Sequence, residues 1–227
     1  MKQDISLPDF YQFLNKQNIV LNALQKEQLN LFHKELLHWM PKLNLISSGD
    51  NQHIIERHFL PGFYYVYYLY NLLGYPGCKI LDLGTGAGFP GVILAIIFNN
   101  HSVTLLDSSR KKTLFLKNVI EKLRLNINVI CERAEKLHDR SEFKYDVIVA
   151  RAVAAIPLLI KWAAPLLDKD GYVLTLKGSN YDDEFDNSKI NFKVNELQPG
   201  RDWVNFSKFL SNKRMIRIDR RLYPENG

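Results

Sequence analysis

The stretch ILDLGTGAGFPGVILAI, Ile80 to Ile96, places glycines at positions 84, 86, 88 and 91 between two apolar runs. The first run reads as a short buried strand and the second has helical spacing. Glycine reaches positive φ and lets another molecule approach the main chain closely. A glycine turn between a strand and a helix N-terminus is where α/β folds hold nucleotide-like ligands. The rest of the chain decides which ligand.

Downstream, strand and helix patterns alternate. KILDLG, SVTLLDS, INVICERA, YDVIVARAV and YVLTLKG read as strands. PGVILAIIFN, SRKKTLFLKNVIEKLRL and IPLLIKWAAPLLDKDG read as helices, the second carrying Leu114, Phe115, Val119 and Leu123 on one side. FKVNELQ and KRMIRIDRR are expected to close the chain as a hairpin. This repetition implies an α/β fold: a doubly wound, mostly parallel sheet with right-handed crossovers over residues 76–227.

Residues 1–75 lack strand alternation and read as a helical extension packed on that domain. Leu29, Phe32, Leu36, Trp39 and Leu43 recur at steps of three and four, and Pro41 is expected to end or kink that helix. A second helical run, HIIERHFLPGFYYVYYLYNLLG, is expected to break near Pro61-Gly62. Its dense tyrosines are most simply packing residues.

The 227 residues carry a net charge of +6 with 46% apolar content. The basic excess suggests a polyanionic partner, nucleic acid first. Cys78 and Cys131 are too few for a disulfide framework or a zinc site, and both are expected as buried thiols of a reducing compartment. The N-terminus has no apolar signal core, and the longest apolar run, about a dozen residues, is too short to span a bilayer. A cytoplasmic protein is expected, monomeric and without a metal.

Gly86-Ala-Gly88-Phe-Pro-Gly91 satisfies G-x-G-x-x-G, a pattern that also fits NAD. Asp82, in the strand just before it, shifts the balance. A carboxylate there repels a pyrophosphate and suits a cationic ligand such as S-adenosylmethionine; it can also cap turn amides. Asp107 ends the next strand, 19 residues after Gly88, where an acid accepts hydrogen bonds from ribose hydroxyls. Ala134 and Glu135, after the third strand, are expected beside the adenine. Arg151 is a cation at the carboxyl edge of the sheet; an ion pair with Glu135 or Asp82 would be its purely structural role.

These motifs, from MPKLNLIS through IERHFL, LDLGTGAGFPGVILAI, LLDSSRKKTLFLKNVIEKL, RAEKL and VARAVA to LKG, resemble the bacterial small-subunit ribosomal RNA guanine-N7 methyltransferase G family, also called glucose-inhibited division protein B. The resemblance spans roughly residues 39–178. It implies a Rossmann-like class I S-adenosylmethionine-dependent methyltransferase fold and methylation of N7 of one guanine in the 530 loop of 16S rRNA, on naked RNA or on the small ribosomal subunit. By matching motifs it carries cofactor contacts to Gly84, Phe89, Ala134, Glu135 and Arg151, alongside Asp82, Gly86, Gly88 and Asp107. The chain departs from the family at HFLPGF, where an Asp-Ser pair is usual.

Guanine N7 has a free lone pair and no proton, so no general base is expected, and His58 is expected to be structural. Arg151 is left to anchor either the cofactor carboxylate or an RNA phosphate. RNA contacts are expected from Arg110, Lys111 and Lys112 and from the tail cations Lys213, Arg214, Arg217, Arg220 and Arg221. Two other readings stand beside this one: an RNA-binding protein that keeps the fold without transferring methyl groups, and an NAD-dependent oxidoreductase, against which Asp82 argues.

Overall fold

The computed structural model describes residues 5–73, 76–138, 143–184, 192–198 and 200–220. Five parallel strands, β1 (Lys79–Leu83), β2 (Ser102–Asp107), β3 (Asn128–Cys131), β4 (Tyr145–Arg151) and β5 (Leu167–Gly178), lie in the order 3-2-1-4-5. The expected hairpin, β6 (Phe192–Leu197) and β7 (Lys213–Arg220), joins antiparallel through β7 beside β5. The chain winds outward from β1 to β3, then returns to β4 on the other side of β1. The carboxyl ends of β1 and β4 therefore flank a topological switch point, where such sheets bind ligands.

Alternate strand residues build two cores, as the pleat dictates. Ile80, Val103, Leu105, Val147 and Val149 face one side; Leu81, Leu83, Leu106, Ile148 and Ala150 face the other. The first side is covered by α4 (Gly91–Ile97) and α5 (Arg110–Leu123), and by the N-terminal helices α1 (Leu7–Lys16), α2 (Ala23–Trp39) and α3 (Leu60–Leu72). Phe10, Leu14, Leu29, Phe32 and Leu36 are fully buried in the same cluster as Val92 and Phe115. The second side packs on α6 (Ile156–Ala163); α7 (Arg201–Phe206) brings Trp203 into the first core.

The N-terminal helices have sound local signals. Ser6 caps α1 through Asp9 N–H, and Asn22 with Gln25 forms a capping box on α2, which ends at Trp39 just before Pro41. The second run does not break at Pro61-Gly62. A π turn over Ile55–Phe59 runs directly into α3. Leu60 N–H closes the wide turn on Ile55 O, and Arg57 O, the carbonyl that Pro61 cannot serve, accepts from Arg151 Nη1 instead. Gly62 instead sits where a Cβ would come within 2.5 Å of Ile93 Cδ1, so its missing side chain lets α3 lie against α4. The tyrosines pack: Tyr64 and Tyr65 are fully buried, and Tyr64, Tyr67 and Tyr68 surround one another beside Trp203.

Three other expectations are corrected. Leu114 is exposed while Leu116 is buried, because Leu114 shares its face of α5 with Lys117 and Asn118. The helix after β4 ends at Ala163; Pro165 stands in a short 3-10 turn, and β5 begins at Leu167 instead of Tyr172. Cys78 is buried but Cys131 is exposed, because β3 is an edge strand.

Candidate functional site

β1 ends in a loop whose backbone enters the left-handed region at Gly84 (φ 72°), Gly86 (φ 60°) and Gly88 (φ 98°). The loop is stitched to β2: Gly84 N–H and Thr85 N–H both donate to Leu106 O, at 2.8 and 3.0 Å. Its glycines have different surroundings. A Cβ on Gly84 would strike Val153 and one on Gly88 would strike Val92 and Leu116, whereas one on Gly86 would meet nothing closer than 3.9 Å. Gly86 thus faces open space, and Gly88 serves packing and lines neither of the pockets described below.

Asp82 lies under this loop with no exposed surface. Its Oδ2 accepts Thr85 Oγ1–H and Gly91 N–H, both at 2.7 Å, which holds the two ends of the turn together. Its Oδ1 has no hydrogen-bond partner. Asp82 lines neither pocket, so what the structure assigns it directly is the capping of turn amides. Burial pushes its carboxyl up to about 6, against hydrogen bonds from Thr85 and Gly91 that favour the charged form.

Two pockets meet at Gly84 and Val153. The smaller, of about 180 Å³, is lined by Asp107, Ala134 and Glu135 among others. Asp107 accepts Gly86 N–H at 2.9 Å on Oδ2 and Ser109 N–H at 2.8 Å on Oδ1. A carboxylate offers about four lone-pair sites, so acceptor capacity remains. The larger, a cleft of about 960 Å³, takes in Gly84, Gly86, Phe89 and Arg151, with the Asn44–Ser47 loop as one wall.

Arg151 ends β4 at the floor of this cleft. It pairs with neither Glu135 nor Asp82. Its Nη1 donates to Arg57 O at 2.9 Å and its Nη2 lies 2.6 Å from His58 Nδ1. His58 Nε2 in turn lies 3.2 Å from Asp50 Oδ2, and Arg57 reaches Asp50 Oδ1 at 2.5 Å. Burial, then the Arg151 charge, push the His58 imidazole down to about 4, so it is neutral at physiological pH. Burial also lowers the Arg151 guanidinium from its ordinary value. For Asp50, burial opposes ionisation, but the Arg57 hydrogen bond and the His58 and Arg57 charges bring its carboxyl below the usual range. Tyr65, on α3, braces the same edge: its hydroxyl donates to Ala150 O at 2.6 Å and accepts Leu176 N–H at 2.8 Å, bridging β4 and β5. On the adjacent strand β5, Lys177 Nζ contacts Ala154 O and Glu184, at 2.5 and 2.8 Å.

The expected RNA-contact residues divide. Arg110, Lys111 and Lys112 open α5, and Lys112 lines the cleft. Lys213 lines the opposite rim, 5.2 Å from the Phe209 ring. Arg214 and Arg217 are not free cations: Arg214 pairs with Glu196 at 3.0 Å, and Arg217 pairs with Asp219 at 2.7 Å while lying 4.2 Å over Tyr172. The Arg220 side chain and Arg221 lie outside the described residues. Asp50, Tyr65 and Glu184 carry no motif in the sequence; Arg57 lies within IERHFL, but nothing in that motif alone assigns it a role.

Comparison with known proteins follows the same outline. The family model described as rRNA small subunit methyltransferase G matches residues 25–209. Ribosomal RNA small subunit methyltransferase G of Mycoplasma capricolum is 32% identical over 218 residues, covering 93% of this chain and 92% of its own. The protein of the same name from Desulfitobacterium hafniense is 37% identical over 175 residues, covering 76% and 71%. Among solved structures, a MtNAS variant in complex with S-adenosylmethionine has a TM-score of 0.57 at 14% identity, covering 95% of this chain and 84% of that one. A putative methyltransferase, yhhF from Escherichia coli, gives 0.54 at 13%, covering 74% and 89%. At such identities the two structures establish the fold alone.

The buried carboxylate under the loop yields a prediction. Asp82 titrates near 6 in the fold and near 3.9 in the unfolded chain. A carboxyl with a raised folded pKa costs stability when ionised, and the cost fades as pH falls from about 6 to about 4. Asp82→Asn keeps a carbonyl oxygen for the two donors and removes the charge. Urea unfolding across that range should find wild type gaining on the variant as pH falls; a constant stability difference, or wild type losing ground to the variant as pH falls, contradicts the assigned charge state.

Proposed function

The chain belongs to the rRNA small subunit methyltransferase G family, and from that membership we propose that it transfers a methyl group from S-adenosylmethionine to N7 of one guanine in the 530 loop of 16S rRNA. The observation that carries this reading is the glycine turn at the β1/β4 switch point with a pocket on either side of Gly84. The residues present fit the cofactor. Asp107 has acceptor capacity for the ribose hydroxyls, and Ala134 and Glu135 line the same small pocket for the adenine. Gly84 and Gly86 let the main chain be approached. Phe89 and Arg151 line the larger cleft for the methionine end.

The charges at the site favour this ligand over a dinucleotide. Asp82 contributes a negative charge beneath the loop, which attracts a cationic ligand and repels a pyrophosphate. Arg151 is too deep for an RNA backbone to reach easily; a small carboxylate suits it better, as a planar guanidinium matches carboxylate geometry.

S-adenosylmethionine, when bound, supplies an electrophilic methyl group on a sulfonium. The chain's part is then alignment: N7 needs no deprotonation, so the cleft has only to hold the base in line and keep water out. Proximity and orientation of this kind supply on the order of 7–11 kcal/mol of a barrier. Lys112 and Lys213, on opposite rims, serve RNA phosphates, with Arg110 and Lys111 beside them. Arg214 and Arg217 are assigned to the β-hairpin ion pairs instead. Among the described residues no helix is long and apolar enough to cross a membrane and no group of side chains could hold a metal. We assign the protein to the cytoplasm, acting as a monomer on 16S rRNA or the small subunit.

Labelled S-adenosylmethionine and small subunits from cells lacking the corresponding enzyme test the reaction, with N7-methylguanine mapped by borohydride and aniline cleavage. One cut in the 530 loop is expected. Label without a cut moves the target atom; no label on any rRNA substrate, with cofactor bound, favours a binding protein. Gly86→Asp tests the site. Asp tolerates positive φ better than most residues and its Cβ has room, so the fold should persist with only a modest fall in melting temperature from the positive φ, while cofactor binding is lost to the side chain entering the cleft. Unchanged affinity would remove the cofactor from this loop.

A further inference from the structure

The π turn Ile55–Phe59 does more than carry the chain past Pro61. It turns a backbone carbonyl, Arg57 O, and a side chain, His58, toward the same guanidinium. Arginine has five N–H donors and no acceptor. The 2.6 Å contact between Arg151 Nη2 and His58 Nδ1 therefore requires an unprotonated Nδ1. A neutral imidazole then carries its proton on Nε2, which donates to Asp50 Oδ2. The other tautomer, like the imidazolium, would set an N–H against an N–H. The His58 ring also lies 5.3 Å from the Phe89 ring, over which the Arg151 guanidinium sits at 5.7 Å. Arg151 is thus gripped on one edge and one face, with two of its five N–H groups spent on these contacts.

We propose that His58 is a positioning residue, whose Nε2–H tautomer, fixed by Asp50, aims Arg151 into the cleft. The inference rests on the cofactor role proposed for Arg151. It has a cause outside the strand that bears the arginine: the Ser47–Asn51 turn, which supplies Asp50 and lines the cleft, is coupled through one imidazole to the end of β4. The burial that keeps the ring neutral accords with this arrangement. A histidine that only filled space would be indifferent to which nitrogen carries the proton.

Two substitutions separate the nitrogens. His58→Asn places an amide oxygen where Nδ1 stood and keeps an acceptor for Arg151. His58→Gln reaches the Nε2 position, keeps Asp50 and leaves Arg151 without its acceptor. Calorimetric titration with S-adenosylmethionine should find His58→Asn within a few-fold of wild type and His58→Gln weaker by roughly tenfold to a hundredfold, the cost of one buried unpaired donor. Melting temperatures of both variants identify any loss caused by misfolding. Histidine-selective ¹⁵N NMR of the ligand-free protein, with the His58 signals assigned by their absence from His58→Gln, reads the tautomer without any ligand: Nε2–H is expected at neutral pH. A proton on Nδ1, or equal loss of affinity in both folded variants, overturns the proposal. If wild type binds no S-adenosylmethionine, the proposed function fails, while the tautomer still decides for or against the Asp50–His58 chain.

Discussion

One buried carboxylate organises the ligand edge of this sheet. Asp82 accepts from Thr85 and from Gly91, residues at the two ends of the glycine turn, and so closes the loop over itself. A buried charge is costly unless hydrogen-bonded, and here the two bonds that offset part of that cost also set the shape of the turn. Gly91 must be glycine for the same reason, since a Cβ there would lie 2.6 Å from Asp82 Oδ2. Asp107 repeats the device one strand over, fixing Gly86 N–H from the side. Two carboxylates thus hold a loop whose residues have little side chain to hold it with.

The second constraint comes from the helices of the N-terminal segment. α3 supplies Tyr65, whose hydroxyl joins β4 to β5 beside Arg151, and the π turn before it supplies Arg57 and His58. The helices share one apolar core with α4 and α5, so these polar contacts are carried on a rigid base. The segment belongs to the site and is more than an appendage to it.

The strands, the helices between them and the glycine turn were legible because each rests on local signals: apolar runs of strand length, caps and turn residues. The turn at Pro61-Gly62 was not, since a proline reads as a break unless the wider hydrogen-bonding of the preceding turn is known. Asp82 was legible as important but ambiguous in role, because a strand-end acid serves a ligand or a loop equally well until its burial is seen. Arg151 is legible at the carboxyl edge of the sheet, but its partner is not: the salt bridge to Glu135 or Asp82 that would be its structural role is absent, and His58 is 93 residues away, with no spacing rule to link them. The tail arginines illustrate the converse. Their charge is visible in KRMIRIDRR, but Glu196 answers Arg214 only once β6 and β7 pair, whereas Asp219 answers Arg217 from two residues along the same strand.

The central claim is that this loop and its two carboxylates make a site for a cationic nucleoside and not for a dinucleotide. Calorimetric titration of the protein with S-adenosylmethionine and, separately, with NADH tests it most directly. The account predicts saturable one-to-one binding of S-adenosylmethionine and none of NADH at comparable concentrations. Preferential binding of NADH would contradict it.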